Sequence, residues 1–177
     1  MVLEVAHELF YWRGIRATGV DLVAAEAGIA PTTLYRLFAS KDDLVAAYLE
    51  RAGNLYRQWF DEAVAGGGSD PASRITAVFD ALAGQVAPQR CRGCPFLMAL
   101  TEFPDPANAA HQQAVETKAW VRRRFRELTA ELRRGGADDL ADQLVLLMEG
   151  VYGSAQALSA DGPARLARAL AEKLIAL

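Results

Sequence analysis

The sequence predicts an all-α protein of about nine helices, and three observations lead to that fold class. Alanine (34) and leucine (22), which favour helices, far outnumber the β-branched valine (12) and isoleucine (4). Apolar residues recur at three- and four-residue spacing, and no segment sustains the alternation of a half-buried strand. Glycine and proline divide the chain into segments of helical length.

Three short helices are predicted first. The helix over residues 3–11 ends near Gly14, a plausible C-cap. Thr18 or Gly19 suits the N-cap of the second helix, whose apolar residues extend to Ala27. Pro31 is conformationally suited to open the third.

The longer helices follow the same signals. Ser40 is a good N-cap for a long helix that stops at the glycines of residues 66–68. Asp70 opens the next helix, and Pro88 ends it. We then predict a short helix at 96–102, a second long helix at 107–133, another at 137–158, and a last one starting at 161–163.

Composition narrows the functional class. The net charge of −3 argues mildly against a nucleic-acid partner, although a DNA-binding protein needs only a local basic surface. No apolar run approaches the roughly 18 residues that a membrane span needs. The first residues lack the pattern of a signal peptide, and two cysteines are too few for a disulfide framework, so we expect a cytoplasmic protein without a membrane partner.

The second and third helices fit a helix-turn-helix. Gly28 supplies the positive φ that the turn needs. The third helix begins with two threonines that can reach phosphates or base edges, as can Arg36. We expect its other face to be anchored by Leu34, Leu37 and Phe38. The alternative is a three-helix corner of an ordinary all-α domain.

A family resemblance adds to this pattern. About 45 residues resemble, without gaps, the N-terminal domain of TetR-family transcriptional regulators; the matching positions are Ala6, Leu9, Phe10, Gly14, residues 20–24, residues 27–30, residues 33–35, Phe38, Ser40, Lys41 and Leu44. The resemblance implies a DNA-binding domain over residues 1–45, with the motif at about 20–39. Residues 46–177 would then form a helical ligand-binding and dimerisation domain.

The resemblance also implies residue roles. Thr18 would cap the second helix beside a phosphate, Tyr35 would place its hydroxyl on the DNA backbone, and Lys41 would meet a phosphate. The groove would be faced by Pro31, Thr32, Thr33 and Arg36. Gly19 departs from the family pattern, in which Thr or Ser is common. Residues 1–45 hold four basic and six acidic residues, so the electrostatic contribution to affinity should be modest and dimerisation important.

Two C-terminal helices are candidates for a homodimer interface. Their apolar stripes and small residues suit a four-helix bundle formed by two chains, although both stripes could equally serve the core of one chain. The interface residues that we predict are Leu144, Leu147, Val151, Ala155, Leu166 and Leu170. Dimer symmetry implies a pseudo-palindromic operator.

A small-molecule effector is expected in the C-terminal domain. Large side chains there predict a mostly apolar ligand, with plain core packing as the alternative; they are Phe79, Phe96, Met98, Phe103, Trp120, Phe125, Met148 and Tyr152. Few charged or titratable groups accompany them, namely Glu102, His111 and Glu149. Repression relieved by the effector is the usual direction in proteins that the chain resembles.

Other functional classes have less support. Cys91 and Cys94 form a CxxC without a preceding strand, which disfavours a thioredoxin-like site. His111 is available as a further zinc ligand, but no second CxxC or HxxxH completes the four that zinc needs. A thiol sensor remains an alternative, because Arg90 and Arg92 could favour the thiolate. A helical ligand carrier with weak or no DNA binding is another. We find no catalytic constellation, metal site or cofactor motif, and therefore expect no enzyme.

Overall fold

The computed structural model describes residues 1–87, 91–159 and 161–177, and these residues contain nine α-helices and no strand. The all-α prediction is confirmed. The helices are α1 (Val2–Arg13), α2 (Val20–Glu26), α3 (Pro31–Leu37), α4 (Lys41–Gly66), α5 (Pro71–Gln85), α6 (Pro95–Glu102), α7 (Ala109–Ala130), α8 (Ala137–Leu158) and α9 (Ala167–Ala176). A 3-10 turn at Pro163–Leu166 precedes α9.

Several helix ends are set by the residues that the sequence marks. Gly14 has φ of 93° and directs its amide to Phe10 O, which ends α1. Gly28 has φ of 67° in the turn between α2 and α3. The side chain of Asp70 accepts the amide of Ser73 and caps α5, while Ser40 Oγ accepts the amide of Asp43 at the start of α4 (3.1 Å).

Helix α7 is shorter than predicted at both ends. Asn108 Oδ1 accepts the amide of Ala110 (2.8 Å), so the helix begins after Asn108. Its other end passes into turn hydrogen bonds at Leu132 and Arg133, and Arg133 has φ of 54°, outside the helical region. The predicted end of α5 at Pro88 lies outside the described residues.

The first of two compact units contains residues 1–56 and 95–117. Its core includes Phe10, whose ring meets that of Tyr48 edge-on at 5.4 Å, and Phe96, which meets Tyr56 at 5.7 Å. Helix α6 therefore packs with the N-terminal helices. This division differs from the predicted domain boundary after residue 45.

The second compact unit contains residues 57–94 and 118–177. Phe60 lies at its centre, with ring centroids 5.5 Å from Trp120 and 5.3 Å from Phe125, and Phe125 stacks on Phe79. Helix α9 packs against α5 and α8. Within the described part of the chain, no helix combines the length and apolar character needed to cross a membrane.

Candidate nucleic-acid interface

The helix-turn-helix holds α3 by a small apolar contact surface. Val23 and Ala24 of α2 are fully buried, and Leu34 of α3 is 2% exposed. Tyr35 is 51% exposed, and Thr32 and Arg36 are also exposed. The predicted polar face of α3 is therefore on the molecular surface, where it is available to a partner.

The prediction that Leu37 anchors α3 is wrong, because this side chain is 57% exposed. The helix is only seven residues long and ends at Leu37. Phe38 is extended, with φ of −135°, and is only partly exposed. Leu34 is the one residue of α3 that is fully buried.

Thr18 does not cap α2, contrary to the role that the family resemblance implied. The N-cap is Gly19, and no side chain accepts a hydrogen bond there. Thr18 is 1% exposed, and its hydroxyl donates to Gly14 O (2.8 Å) and more weakly to Leu9 O (3.4 Å). It thereby satisfies carbonyl groups at the C-terminal end of α1.

The turn between α1 and α2 is held by a carboxylate from far along the chain. Glu102, the last residue of α6, accepts the amide of Ile15 through Oε1 (3.0 Å) and that of Arg16 through Oε2 (2.7 Å). Hydrogen bonds to an ionised acceptor are stronger than neutral ones. The sequence analysis placed Glu102 among candidate ligand contacts, but in the structure it supports the helix-turn-helix.

Two more contacts brace this turn. Lys41, at the start of α4, donates from Nζ to Arg16 O (3.2 Å). The Arg16 guanidinium lies over the ring of Phe103, 5.3 Å from its centroid. Lys41 therefore already has one partner on the surface predicted to meet phosphate, and two donor positions of its ammonium are left beyond that bond.

Three of the four arginines at residues 122–126 belong to a different kind of surface. Arg122 binds Asp142 and Arg126 binds Asp138, each through two guanidinium nitrogens at 2.6–2.7 Å. Arg124 binds Asp61 at 2.9 Å. The positive charges of these three arginines are neutralised by carboxylates within the chain, whereas a surface that attracts DNA carries an excess of positive charge.

Comparisons with known proteins agree with the geometry of the N-terminal helices. A model described as bacterial regulatory proteins, tetR family, matches residues 2–48. A putative TetR transcriptional regulator of Streptomyces avermitilis MA-4680 is 30% identical, with a TM-score of 0.80 over 99% of this chain and 94% of that one. The chain belongs to the TetR family of transcriptional regulators.

Two further relatives extend the likeness along the chain. The TetR-family regulator SCO4454 of Streptomyces coelicolor is 29% identical, with a TM-score of 0.86 over 99% of this chain and 90% of that chain. The HTH-type transcriptional regulator YjdC of Escherichia coli K12 is 26% identical over 149 residues, which are 84% of this chain and 78% of YjdC. This TetR-family protein therefore carries a DNA-binding helix-turn-helix.

The residues predicted to form a dimer interface differ in exposure in this TetR-family regulator. Leu144, Val151 and Ala155 are buried within the chain, and Leu147 is partly exposed. Leu166 and Leu170 are exposed. Sequence reasoning missed Leu146 on α8, which is 72% exposed; the 3.6-residue period alone did not set the phase of the helix correctly.

The predicted effector-binding residues fall in both compact units. Phe79, Phe125, Met148 and Tyr152 are buried in the second, where Trp120 is partly exposed. Phe96 is buried in the first, which also contains Met98 and Phe103. Phe103 lines a cavity of about 210 Å³ whose other lining residues are Asp42, Val45 and residues 107–110. His111 lies near this segment, with Nδ1 donating to Phe103 O (2.8 Å).

A charged pair in the second unit was not predicted. Lys118 Nζ lies 2.6 Å from Glu149 Oε1, and both side chains are largely buried. Burial, the largest influence, lowers the pKa of Lys118, but the Cys94 sulfur and the Glu149 carboxylate outweigh it and leave that pKa raised. Lys118 therefore stays protonated.

The second oxygen of Glu149 is the unusual feature of this pair. Glu149 Oε2 is buried and has no hydrogen-bond partner among the described residues. Such an oxygen costs free energy unless a donor reaches it. Tyr152 lies beside the pair, with its ring centroid 5.9 Å from Lys118 Nζ and its hydroxyl donating to Gln85 Oε1 (3.1 Å).

The two cysteines differ in environment. Cys94 is buried beside Lys118, while Cys91 is partly exposed, with Sγ 3.9 Å from Gly93 O. Arg90, which entered the thiolate prediction, lies outside the described residues. Among those residues, no group of three or more His, Cys, Asp or Glu side chains is placed to hold a metal ion.

Proposed function

We propose that this regulator is a homodimeric repressor that binds a pseudo-palindromic operator and is released by a small, mostly apolar effector. One observation carries the DNA-binding part: α3 exposes Thr32, Tyr35 and Arg36 while Leu34 fixes it from below. A helix held in this way can enter the major groove with its polar side chains toward the bases.

The roles of individual residues follow from their chemistry. Pro31, Thr32, Thr33 and Arg36 face the groove, where hydroxyls and a guanidinium read donor and acceptor patterns. Tyr35 gives its hydroxyl to a phosphate, and Lys41 gives its remaining donors to another. Thr18 is buried, so its contribution is to fix the turn that leads into α2.

The dimer forms through exposed apolar residues of α8, of the 3-10 turn before α9 and of α9. Leu146 and Leu166 supply apolar surface. Gly150 and Gly153 lie four and seven positions after Leu146, and a Cβ added at either would meet no atom of the described residues within 4 Å. The same stripe thus offers both apolar side chains and room for a partner helix to approach. Leu170 extends this surface, whereas the buried Leu144, Val151 and Ala155 support it from within.

The effector belongs in the second unit, beside the Lys118–Glu149 pair. The Tyr152 ring lies beside the pair, and Glu149 Oε2, which has no hydrogen-bond partner among the described residues, favours a molecule with one hydrogen-bond donor. Its binding shifts the operator affinity by a coupling free energy of about 1–3 kcal/mol, the usual range for two linked sites.

Fluorescence anisotropy tests the DNA-binding proposal. The duplex is the DNA upstream of the protein's own gene, titrated at several salt concentrations beside an unrelated duplex. We expect tight, salt-sensitive binding that Tyr35→Ala weakens and the matched exposed-residue control Leu55→Ala does not. If that duplex binds no better than the unrelated one, selection from a random duplex library tests whether the protein prefers any other DNA sequence. Failure to enrich any sequence would overturn the proposal.

Thiol sensing is the second candidate, because Cys94 lies beside the Lys118 ammonium and Cys91 is partly exposed. Burial of Cys94 opposes it, since an oxidant must reach the sulfur. A variant with both cysteines replaced by serine distinguishes the two functions. Operator binding is measured for this variant and for wild type under hydrogen peroxide. Equal binding by the two proteins eliminates the thiol sensor.

A further inference from the structure

Leu37 is an exposed apolar side chain at the C-terminal end of the helix proposed to enter the DNA groove. It is 57% exposed and closes the same short helix that presents Thr32, Tyr35 and Arg36. The roles assigned above use hydroxyls, an ammonium and a guanidinium, and an isobutyl group can do none of this chemistry. A contact between Leu37 and DNA would therefore be apolar.

Only one base edge in the major groove is complementary to such a group. Adenine, guanine and cytosine present donors and acceptors there, whereas thymine adds a C5 methyl group. Leucine against a polar edge would remove water without replacing its hydrogen bonds, at a cost in free energy. Leucine against the methyl buries apolar surface on both sides.

The position of Leu37 on α3 makes this contact compatible with base reading by its neighbours. Leu37 follows Thr33 by four residues, so the two share one side of the helix. Arg36 precedes it and lies nearer the middle of the exposed face, opposite the buried Leu34. If Thr33 and Arg36 reach bases as proposed above, Leu37 would lie beside a neighbouring base pair.

We propose that Leu37 is a specificity-determining residue that contacts the C5 methyl of one thymine in each operator half-site. The inference rests on the proposed DNA-binding function and deepens it. It converts an exposed leucine, which on most surfaces has no role, into a reader of a single methyl group.

Deoxyuridine substitution tests the contact, because it removes the methyl and leaves base pairing unchanged. The probe is a duplex enriched by the wild-type protein from a random library. Each thymine of the half-site is replaced in turn, symmetrically in both halves. The proteins are wild type, Leu37→Ala, Leu37→Met and Leu55→Ala, the last a leucine of α4 that is also exposed. Thermal unfolding checks that each variant is folded.

One thymine should stand out. When deoxyuridine replaces that thymine, we expect wild type and Leu55→Ala to lose about fourfold in operator affinity per half-site. This is the size expected for the loss of one methyl-sized apolar contact. Leu37→Ala should bind the thymine and deoxyuridine duplexes with equal affinity. Leu37→Met should retain part of the difference in affinity between them. Indifference of wild type to every replacement overturns the inference, as does an undiminished difference in Leu37→Ala. If wild type enriches no sequence at all, the proposed function fails and the inference with it.

Discussion

Helix α3 and the Lys118–Glu149 pair place polar groups in opposite environments. Helix α3, seven residues long, exposes the polar side chains of Thr32, Tyr35 and Arg36 to solvent. The pair joins α7 to α8 and is largely buried, and no donor among the described residues reaches its second carboxylate oxygen. Polar groups at a surface keep their hydration until a partner replaces it, whereas buried ones depend on each other.

This difference teaches where substitutions should act. A change on the exposed face of α3 should affect DNA affinity and leave folding nearly unchanged. A change at the buried pair should affect stability first. Three measurements test the contrast, beginning with the largest expected effect.

Lys118→Met should lower the free energy of unfolding by about 2 kcal/mol, because it leaves the Glu149 carboxylate largely buried without its cation. The double variant Lys118→Met/Glu149→Leu should recover most of that loss, since apolar residues can replace a buried pair. Urea unfolding at fixed protein concentration measures both. Additive losses in the double variant would show that the two charges do not depend on each other.

Arg36→Ala should weaken operator binding by about tenfold with little change in stability, the size expected for one lost base contact. Arg122→Ala is the matched control, because Arg122 is exposed but paired with Asp142. Its operator affinity should match that of wild type in anisotropy titrations. Equal losses in both variants would mean that affinity follows total positive charge and not the face of α3.

Replacement of His7 should give the smallest of the three expected effects. The Nδ1 of His7 is a buried polar atom in the first unit. Burial and the charge of Arg51 lower the pKa of His7, while the charge of Glu8 opposes this shift. Among the described residues, His7 Nδ1 has no hydrogen-bond partner. A folded-state pKa below the unfolded value of 6.5 makes stability fall as pH drops below 6.5. Wild type should therefore lose more stability than His7→Phe between pH 6.5 and 5. Parallel unfolding profiles for the two proteins would contradict this assignment.

Local signals made most of the fold predictable. Asp70 and Gly28 act within one turn of the chain, so their neighbours in sequence suffice to interpret them. The same holds for the exposed Tyr35 and Arg36. Leu37 was predicted wrongly because periodicity gives the phase of a helix only when several turns are available, and α3 has two.

Contacts between distant residues were beyond that reasoning. Lys118 and Glu149 are 31 positions apart. In the sequence, Glu149 stands out as a charge among apolar side chains, but nothing there indicates its partner or singles out Lys118. Glu102 was noticed as an unusual carboxylate, but its partners are the amides of Ile15 and Arg16, which no residue type encodes. Thr18 likewise bonds carbonyl groups instead of the helix that it precedes.

The Glu102 contacts bear on building chimeric regulators. Residues 1–45 contain the DNA-contacting side chains proposed here, but not the carboxylate that holds Ile15 and Arg16. A fusion of that segment to the effector domain of another protein would contain the proposed DNA-contacting residues but would lack Glu102. Chimeras that include α6, or that supply an acidic residue at the position of Glu102, should retain more of this protein's operator specificity.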